Sequence, residues 1–192
     1  AVVATTSQKV VLLRNEERTV VELPTKPTCL ALSHDDAQLA VGGADSKVYL
    51  FGIEGTSLTE QQTLAPPHGE QLTALSYSAD GAWLTSCCKA RRIYLWPRDD
   101  LSKPKNSGWR YHNSTVSAFA WTPDSARGVS VSADQDVIVW KQAGLGKVKR
   151  DKIDRVHLGG CVGVAFLDDN TVATTGLDKT IKIIDISDSV VA

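Results

Sequence analysis

The chain has 192 residues, 42% of them hydrophobic and 22% charged, a balance ordinary for a soluble globular domain with a substantial core. Its 21 Lys and Arg against 22 Asp and Glu leave a formal net charge of −1, so no global field recruits nucleic acid or an acidic membrane. No apolar run approaches the roughly 18 residues of a membrane-spanning helix, the start lacks the charged-then-apolar layout of a signal peptide, and the absence of Met marks a fragment of a longer protein or a processed one.

In chain order, KVVLLR (9–14) and RTVVELP (18–24) read as two strands, the third and outer strands of an incomplete unit over 1–24. A full unit follows over 25–66. TCLAL (28–32) alternates with period two, SHDD turns, AQLAVGG runs back, Asp45 sits in a second turn, and KVYLF and SLTEQQTLA (57–65) complete it. The pattern returns over 67–110 as LTALSY (72–77), SADG, AWLTSCC and RIYLW, and over 111–155 as VSAFAW (116–121), TPDS, ARGVSVS and VIVW. It returns once more over 156–192 as VGVAF (162–166), LDDN, TVATTG and TIKII, where the outer strand is lacking.

Three rulers measure one period of 44 or 45 residues. Asp45, Ala90, Asp134 and Asp178 stand six residues before Phe51, Trp96, Trp140 and Ile184; Leu32, Tyr77, Trp121 and Phe166 each close an alternating run; His68, His112 and His157 stand four before Leu72, Val116 and Cys161. A repeat of about 40–45 residues with His near its start and Trp near its end is the pattern of a WD-repeat β-propeller blade. The expected fold is therefore all-β: four-stranded antiparallel blades forming a partial propeller of about four and a half blades, with its missing upstream blades needed to close the ring.

His112, Ser130, Asp134 and Trp140 match the buried polar tetrad of WD blades, in which His joins the turn Asp to a strand hydroxyl and the hydroxyl meets the indole N–H. A buried Asp and His are costly unless every polar atom has a partner, and such a network supplies them. The other units are incomplete: His68, Ser86 and Trp96 with Ala90 at the Asp position; His157, Thr174 and Asp178 with Ile184 at the Trp position; Asp45 and Phe51 with Leu23 and Val41 at the remaining two.

His112, Ser130 and Asp134 also have the residue types of a hydrolase triad. No Gly-x-Ser-x-Gly elbow accompanies them and the trio recurs with the repeat, so the reading is structural, with no catalytic residue, cofactor or metal expected. No CxxC or His/Cys zinc spacing occurs, SVSADQDVIVW lacks calcium-loop order, and GLGKVK (144–149) is not a phosphate loop. Cys29, Cys87, Cys88 and Cys161 are expected as reduced packing residues. Lys89, Arg91 and Arg92 fall in a turn, and Lys147, Lys149, Arg150 and Lys152 in a connector, read as solvated charge or as protein contacts on a rim. Trp109 and Tyr111 are expected under the adjacent unit, with an exposed aromatic anchor as the sharper alternative.

The order of the units resembles the C-terminal part of the actin-interacting protein 1 family, the WD-repeat cofactors of cofilin. The carrying phrases are SQKVVLL, LAVGGADSKVYLFGIEGTSL, LTALSYSADGAWL, VSAFAWTPDS and VAFLDDNTVATTGLDKTIKI, and they extend through nearly the whole chain. The resemblance implies a cytoplasmic, cytoskeleton-associated, non-enzymatic scaffold of two seven-bladed propellers. Its implied partners are actin filaments and cofilin (ADF), and its implied effect is filament severing and disassembly. It assigns no actin- or partner-binding residue here. The alternative is a generic WD-repeat interaction platform, such as a ubiquitin-ligase receptor or a trafficking assembly.

Overall fold

The computed structural model of the chain describes residues 2–4, 7–14, 16–65, 69–141 and 149–187; His68, Lys147 and most of the GLGKVK run lie outside them. Every regular element among the described residues is a β-strand. Runs of Val, Ile, Leu and aromatic residues supply pleated surfaces, and the turns between them place non-glycine residues at positive φ at one repeated position: Ser46, Arg91, Gln135 and Lys179.

The first sheet is made of Val2–Ala4 (β1), Lys9–Arg14 (β2) and Glu17–Glu22 (β3), in that order. The strand missing from the sequence reading is β1, whose three residues are too few to show an alternation. Pro27–Leu32 (β4), Gln38–Gly43 (β5), Val48–Glu54 (β6) and Ser57–Leu64 (β7) form a four-stranded antiparallel meander. Leu72–Tyr77 (β8), Trp83–Cys88 (β9) and Ile93–Pro97 (β10) form the third sheet. The fourth has Val116–Trp121 (β11), Arg127–Ser132 (β12), Val137–Lys141 (β13) and Lys149–Ile153 (β14). Cys161–Phe166 (β15), Thr171–Gly176 (β16) and Ile181–Asp185 (β17) make the fifth.

The third sheet departs from the expected four strands. Its outer edge is sealed by coil instead of a strand. The Asn106 side chain accepts the Leu95 N–H at 3.0 Å and donates to the Ile93 carbonyl at 2.9 Å, while the Lys105 N–H donates to Leu95 O at 2.8 Å. A single bridge, Ile93 to Trp109, is the remnant of the fourth strand. Pro104 cannot donate to a ladder, and Gly108 holds φ +85° against the Tyr94 ring, where a Cβ would lie 2.7 Å from Cζ.

The sheets stand as successive blades: β4 packs beside β8, β8 beside β11, and β11 beside β15. Each of these four inner strands carries a bulge at the same place, ahead of Cys29, Ala74, Ala118 and Gly163. The bulge bends the strand while a small residue clears the neighbour. The core is divided into slabs between adjacent sheets. Ala40, Val48 and Leu50 meet Leu75, Tyr77, Leu84, Tyr94 and Trp96; Ile93 and Leu95 meet Phe119, Ile138 and Trp140; Val129, Val131, Val137 and Val139 meet Val164, Phe166, Val172 and Ile184.

The fifth sheet shows what this stacking conceals elsewhere. In the fourth sheet Val137 and Val139 are fully buried, whereas Ile181 and Ile183, at the same places in the fifth, are 72% and 59% exposed. Covering one such isoleucine contributes about 1.5–3 kcal/mol, so this face favours association. The chain is expected to self-associate in sedimentation velocity, and Ile181→Lys with Ile183→Lys is expected to shift it to monomer with an unchanged far-ultraviolet spectrum. A distribution unaffected by the two lysines would show that association, if present, uses another surface.

Candidate functional site

The turn between β12 and β13 and the loop entering β11 meet at one rim of the fourth sheet, where the structure brings His112, Ser130, Asp134 and Trp140 together. His112 Nδ1 lies 3.1 Å from Asp134 Oδ2, and its Nε2 lies 2.7 Å from Ser130 Oγ. The Trp140 indole N–H donates to the same Oγ at 2.8 Å. With Nδ1–H directed at the carboxylate, the neutral ring accepts the Ser130 hydroxyl proton at Nε2, and every polar atom of the group is matched. Asp134 also accepts the Asn113 N–H at 2.6 Å and the Asp136 N–H at 3.1 Å, tying loop, turn and strand together. Burial opposes ionisation of Asp134, but the His112 hydrogen bond and the Asn113 and Asp136 N–H groups together hold its carboxyl well below the usual range.

Although these contacts repeat the connectivity of a nucleophilic triad, Ser130 has no exposed surface, and His112 and Trp140 are each 2% exposed. The Ser130 oxygen is covered by the indole that donates to it, leaving no approach for a carbonyl carbon. The arrangement can pin a rim loop to a sheet.

The other units improvise. In the fifth sheet His157 Nδ1 lies 2.9 Å from Asp178 Oδ1, Nε2 lies 2.9 Å from Thr174 Oγ1, and the Thr180 hydroxyl adds a 2.8 Å bond to Asp178. Burial again opposes the charge on Asp178, and the Thr180 hydroxyl, His157 and the Thr180 N–H outweigh it and lower its pKa. In the third sheet Trp96 donates to Ser86 at 2.8 Å, with Ala90 at the acid position. In the second, Leu23 and Val41 are buried apolar residues, and Asp45 accepts the Tyr49 hydroxyl at 2.7 Å instead. Tyr49 and Thr180 escaped the sequence reading because that reading followed only the four tetrad columns. A hydroxyl two or four residues after the turn Asp was the available signal.

Trp109 stacks on Trp140 with centroids 4.6 Å apart and is half-buried. Tyr111 is 46% exposed, and the Arg150 guanidinium lies 3.8 Å above its ring, so it is not covered as expected. Lys149, Arg150 and Lys152 lie on the outer strand β14 and not in a connector, with Lys152 bridging Asp136 and Asp154 at 2.8 and 2.5 Å. Lys89, Arg91 and Arg92 occupy the turn between β9 and β10, and Arg92 donates to the Tyr94 hydroxyl at 2.9 Å. Cys87, Cys88 and Cys161 are buried free thiols and Cys29 is half-buried, its thiol pushed up to about 12 chiefly by burial.

On the opposite rim each turn is built on an acid. Ser33, Ser78 and Thr122 donate to Asp35, Asp80 and Asp124 at 2.5–2.6 Å, and these carboxylates accept the N–H groups of Ala37, Ala82 and Ala126. Adjacent turns are also linked: Asp80 N–H donates to Ser125 Oγ and Asp124 N–H to Asp169 Oδ1, both at 2.9 Å.

A family model described as WD domain, G-beta repeat matches residues 19–51, 59–97, 103–141 and 152–185, more than half of the chain. The chain belongs to that family. It is 36% identical over 182 residues to the 66 kDa stress protein of Physarum polycephalum, covering 95% of this chain and 30% of that protein. It is similar to actin-interacting protein 1 of Caenorhabditis elegans, 28% identical over 94% of this chain and 29% of the relative, and of Drosophila melanogaster, 29% identical over 95% and 30%. The chain thus spans less than a third of the length of these relatives. A chain in a crystal structure of the mitotic checkpoint complex superposes with a TM-score of 0.85 over 97% of this chain and 57% of that one; at 21% identity it shares the fold.

Because the carboxyls of Asp134 and Asp178 titrate below their unfolded values, their contribution to stability is present above about pH 4 and is lost as pH falls through the folded values. Thermal melts are expected to decline from neutral pH toward pH 3. Asp134→Asn should lie lower at neutral pH and decline less steeply. Trp140→Ala should cost about 3–5 kcal/mol, and Trp140→Phe, which keeps a ring on Trp109 but loses the bond to Ser130, about 1 kcal/mol for that bond plus part of the packing.

Proposed function

We propose that the chain is part of a non-enzymatic, actin-binding WD-repeat scaffold that promotes cofilin-dependent severing and disassembly of actin filaments in the cytoplasm. The observation that carries this reading is the similarity to actin-interacting protein 1, which extends over 94–95% of the chain in two animal relatives instead of being confined to single repeats. The buried trio supports a binding role over catalysis: its hydroxyl is spent on an indole and an imidazole inside the sheet. In this reading His112, Ser130, Asp134 and Trp140 are a structural tetrad. The scaffold would act by binding the cofilin-decorated filament more tightly than the bare one and its severed ends more tightly than the intact decorated filament, because a ligand shifts an equilibrium only through its differential affinity for the two states.

The test is filament disassembly watched by fluorescence microscopy, with and without cofilin, for the parent protein and for residues 1–192. The parent is expected to accelerate filament loss only when cofilin is present, and the chain alone to act weakly. A parent protein indifferent to actin in both conditions would overturn the actin reading in favour of a WD-repeat platform for other partners.

A further inference from the structure

The net charge of −1 hides a segregation between the two rims. The rim that carries His112 and Asp134 is defined by one repeated backbone bond from turn to loop: Ala44 N–H to Lys26 O, Lys89 to Gln71, Ala133 to Thr115 and Leu177 to Gly160, all 2.9–3.0 Å. On that rim Lys26, Lys89, Arg91, Arg155 and Lys179 are exposed, and none has a carboxylate partner among the described residues. Of the acids beside them, five are tied to groups of the rim itself, and Glu70 stands exposed in the loop before β8. Asp45 accepts from Tyr49, Asp134 and Asp178 hold histidines, and Asp136 and Asp154 share Lys152. The opposite rim carries the Asp turns, with Asp36, Asp80, Asp124 and Asp168 exposed.

Two leucines share the cationic rim. Leu158 is 69% and Leu177 66% exposed. Their exposure does not come from the open face of the fifth sheet. The same positions in the fourth sheet, Asn113 and Ala133, are also exposed although a further sheet packs against that one. The fifth-sheet turn has therefore placed apolar side chains where its neighbour has a polar and a small one, immediately beside Lys179.

We propose that this rim, from Lys89 and Arg91 through Arg155 to Leu158, Leu177 and Lys179, docks an acidic protein segment that carries an apolar anchor. Unneutralised cations steer and orient an acidic partner, and the leucine pair supplies desolvated contact. Nucleic acid fits less well. The cations sit on separate turns, not along one groove, the acidic rim lies on the same molecule, and phosphates have no use for the leucines. The proposal is independent of the actin reading.

The experiment is fluorescence polarisation of the full chain with a short fluorescein-labelled peptide of Asp and Glu around a central Leu, at low and near-physiological salt. Two double variants borrow residues that the repeat itself tolerates. Arg91→Gln with Lys179→Gln copies Gln135, which holds the same turn position at φ +80°, and Leu158→Asn with Leu177→Ala copies Asn113 and Ala133. The wild-type chain is expected to bind in a salt-sensitive manner, and each double variant to bind about tenfold more weakly with an unchanged melting temperature. Absence of binding at low salt, or equal affinity in the wild type and both variants, would overturn the proposal. So would displacement of the peptide by single-stranded oligonucleotide at lower concentration than by unlabelled peptide.

Discussion

Sheets in this chain are apolar on both faces, and a sheet apolar on both faces is stable only between two others. Leu39 and Phe51 face the first sheet while Ala40 and Leu50, one residue along, face the third, and all four have at most 1% exposure. Successive side chains on a strand point to opposite faces, so each strand contributes to two slabs of core at once. Stability is then a sum of neighbour contacts, as in other repeat arrays, and removing one neighbour bares the residues that it covered. Ile181 and Ile183 show that cost at the fifth sheet.

The covalent repeat is out of phase with the sheets, and this matters to how the slabs hold together. The family match at 59–97 contains most of β7, the outer strand of the second sheet, followed by β8, β9 and β10 of the third. The match at 152–185 likewise joins the end of β14 to the fifth sheet. Each repeat therefore ties one sheet to the next through its own backbone. The polar networks lie on that tie: His112 stands just before β11, on the segment that enters the fourth sheet, and binds the turn of that sheet through Asp134. Gly160 marks a second such place, where φ +121° and a Cβ position only 3.0 Å from the Ala133 backbone leave room for no side chain.

The two rims do different physical work. Along one, charged Asp side chains order each turn by accepting Ser and Thr hydroxyls, and further hydrogen bonds join adjacent turns. Along the other, Lys152 pairs with Asp136 and Asp154, His112, His157 and Tyr49 hold Asp134, Asp178 and Asp45 in place, and Lys26, Lys89, Arg91, Arg155 and Lys179 face water without a carboxylate partner among the described residues. Neither imbalance is visible in the composition, because the rims cancel. It arises from where the turn residues fall in the repeat.

Periodicity alone sufficed for the three inner strands of each full unit, their order and the trio of polar residues beneath Trp140, because alternation and a fixed 44- or 45-residue spacing are local and countable. It could not show that the edge of β10 is closed by the Asn106 amide, since an asparagine that substitutes for a strand looks in sequence like any loop residue. Nor could it show that Asp45 finds Tyr49 where no histidine is present, a pairing created by the path of the turn. Exposure was the least legible property of all. Ile183 and Leu177 are both apolar residues of the same unit, yet one is bare because its face has no neighbour and the other because its turn points into water whether or not a neighbour follows. Which residues lie on a strand is written in the chain; what covers them depends on the sheet packed alongside, and that is a matter of tertiary contact.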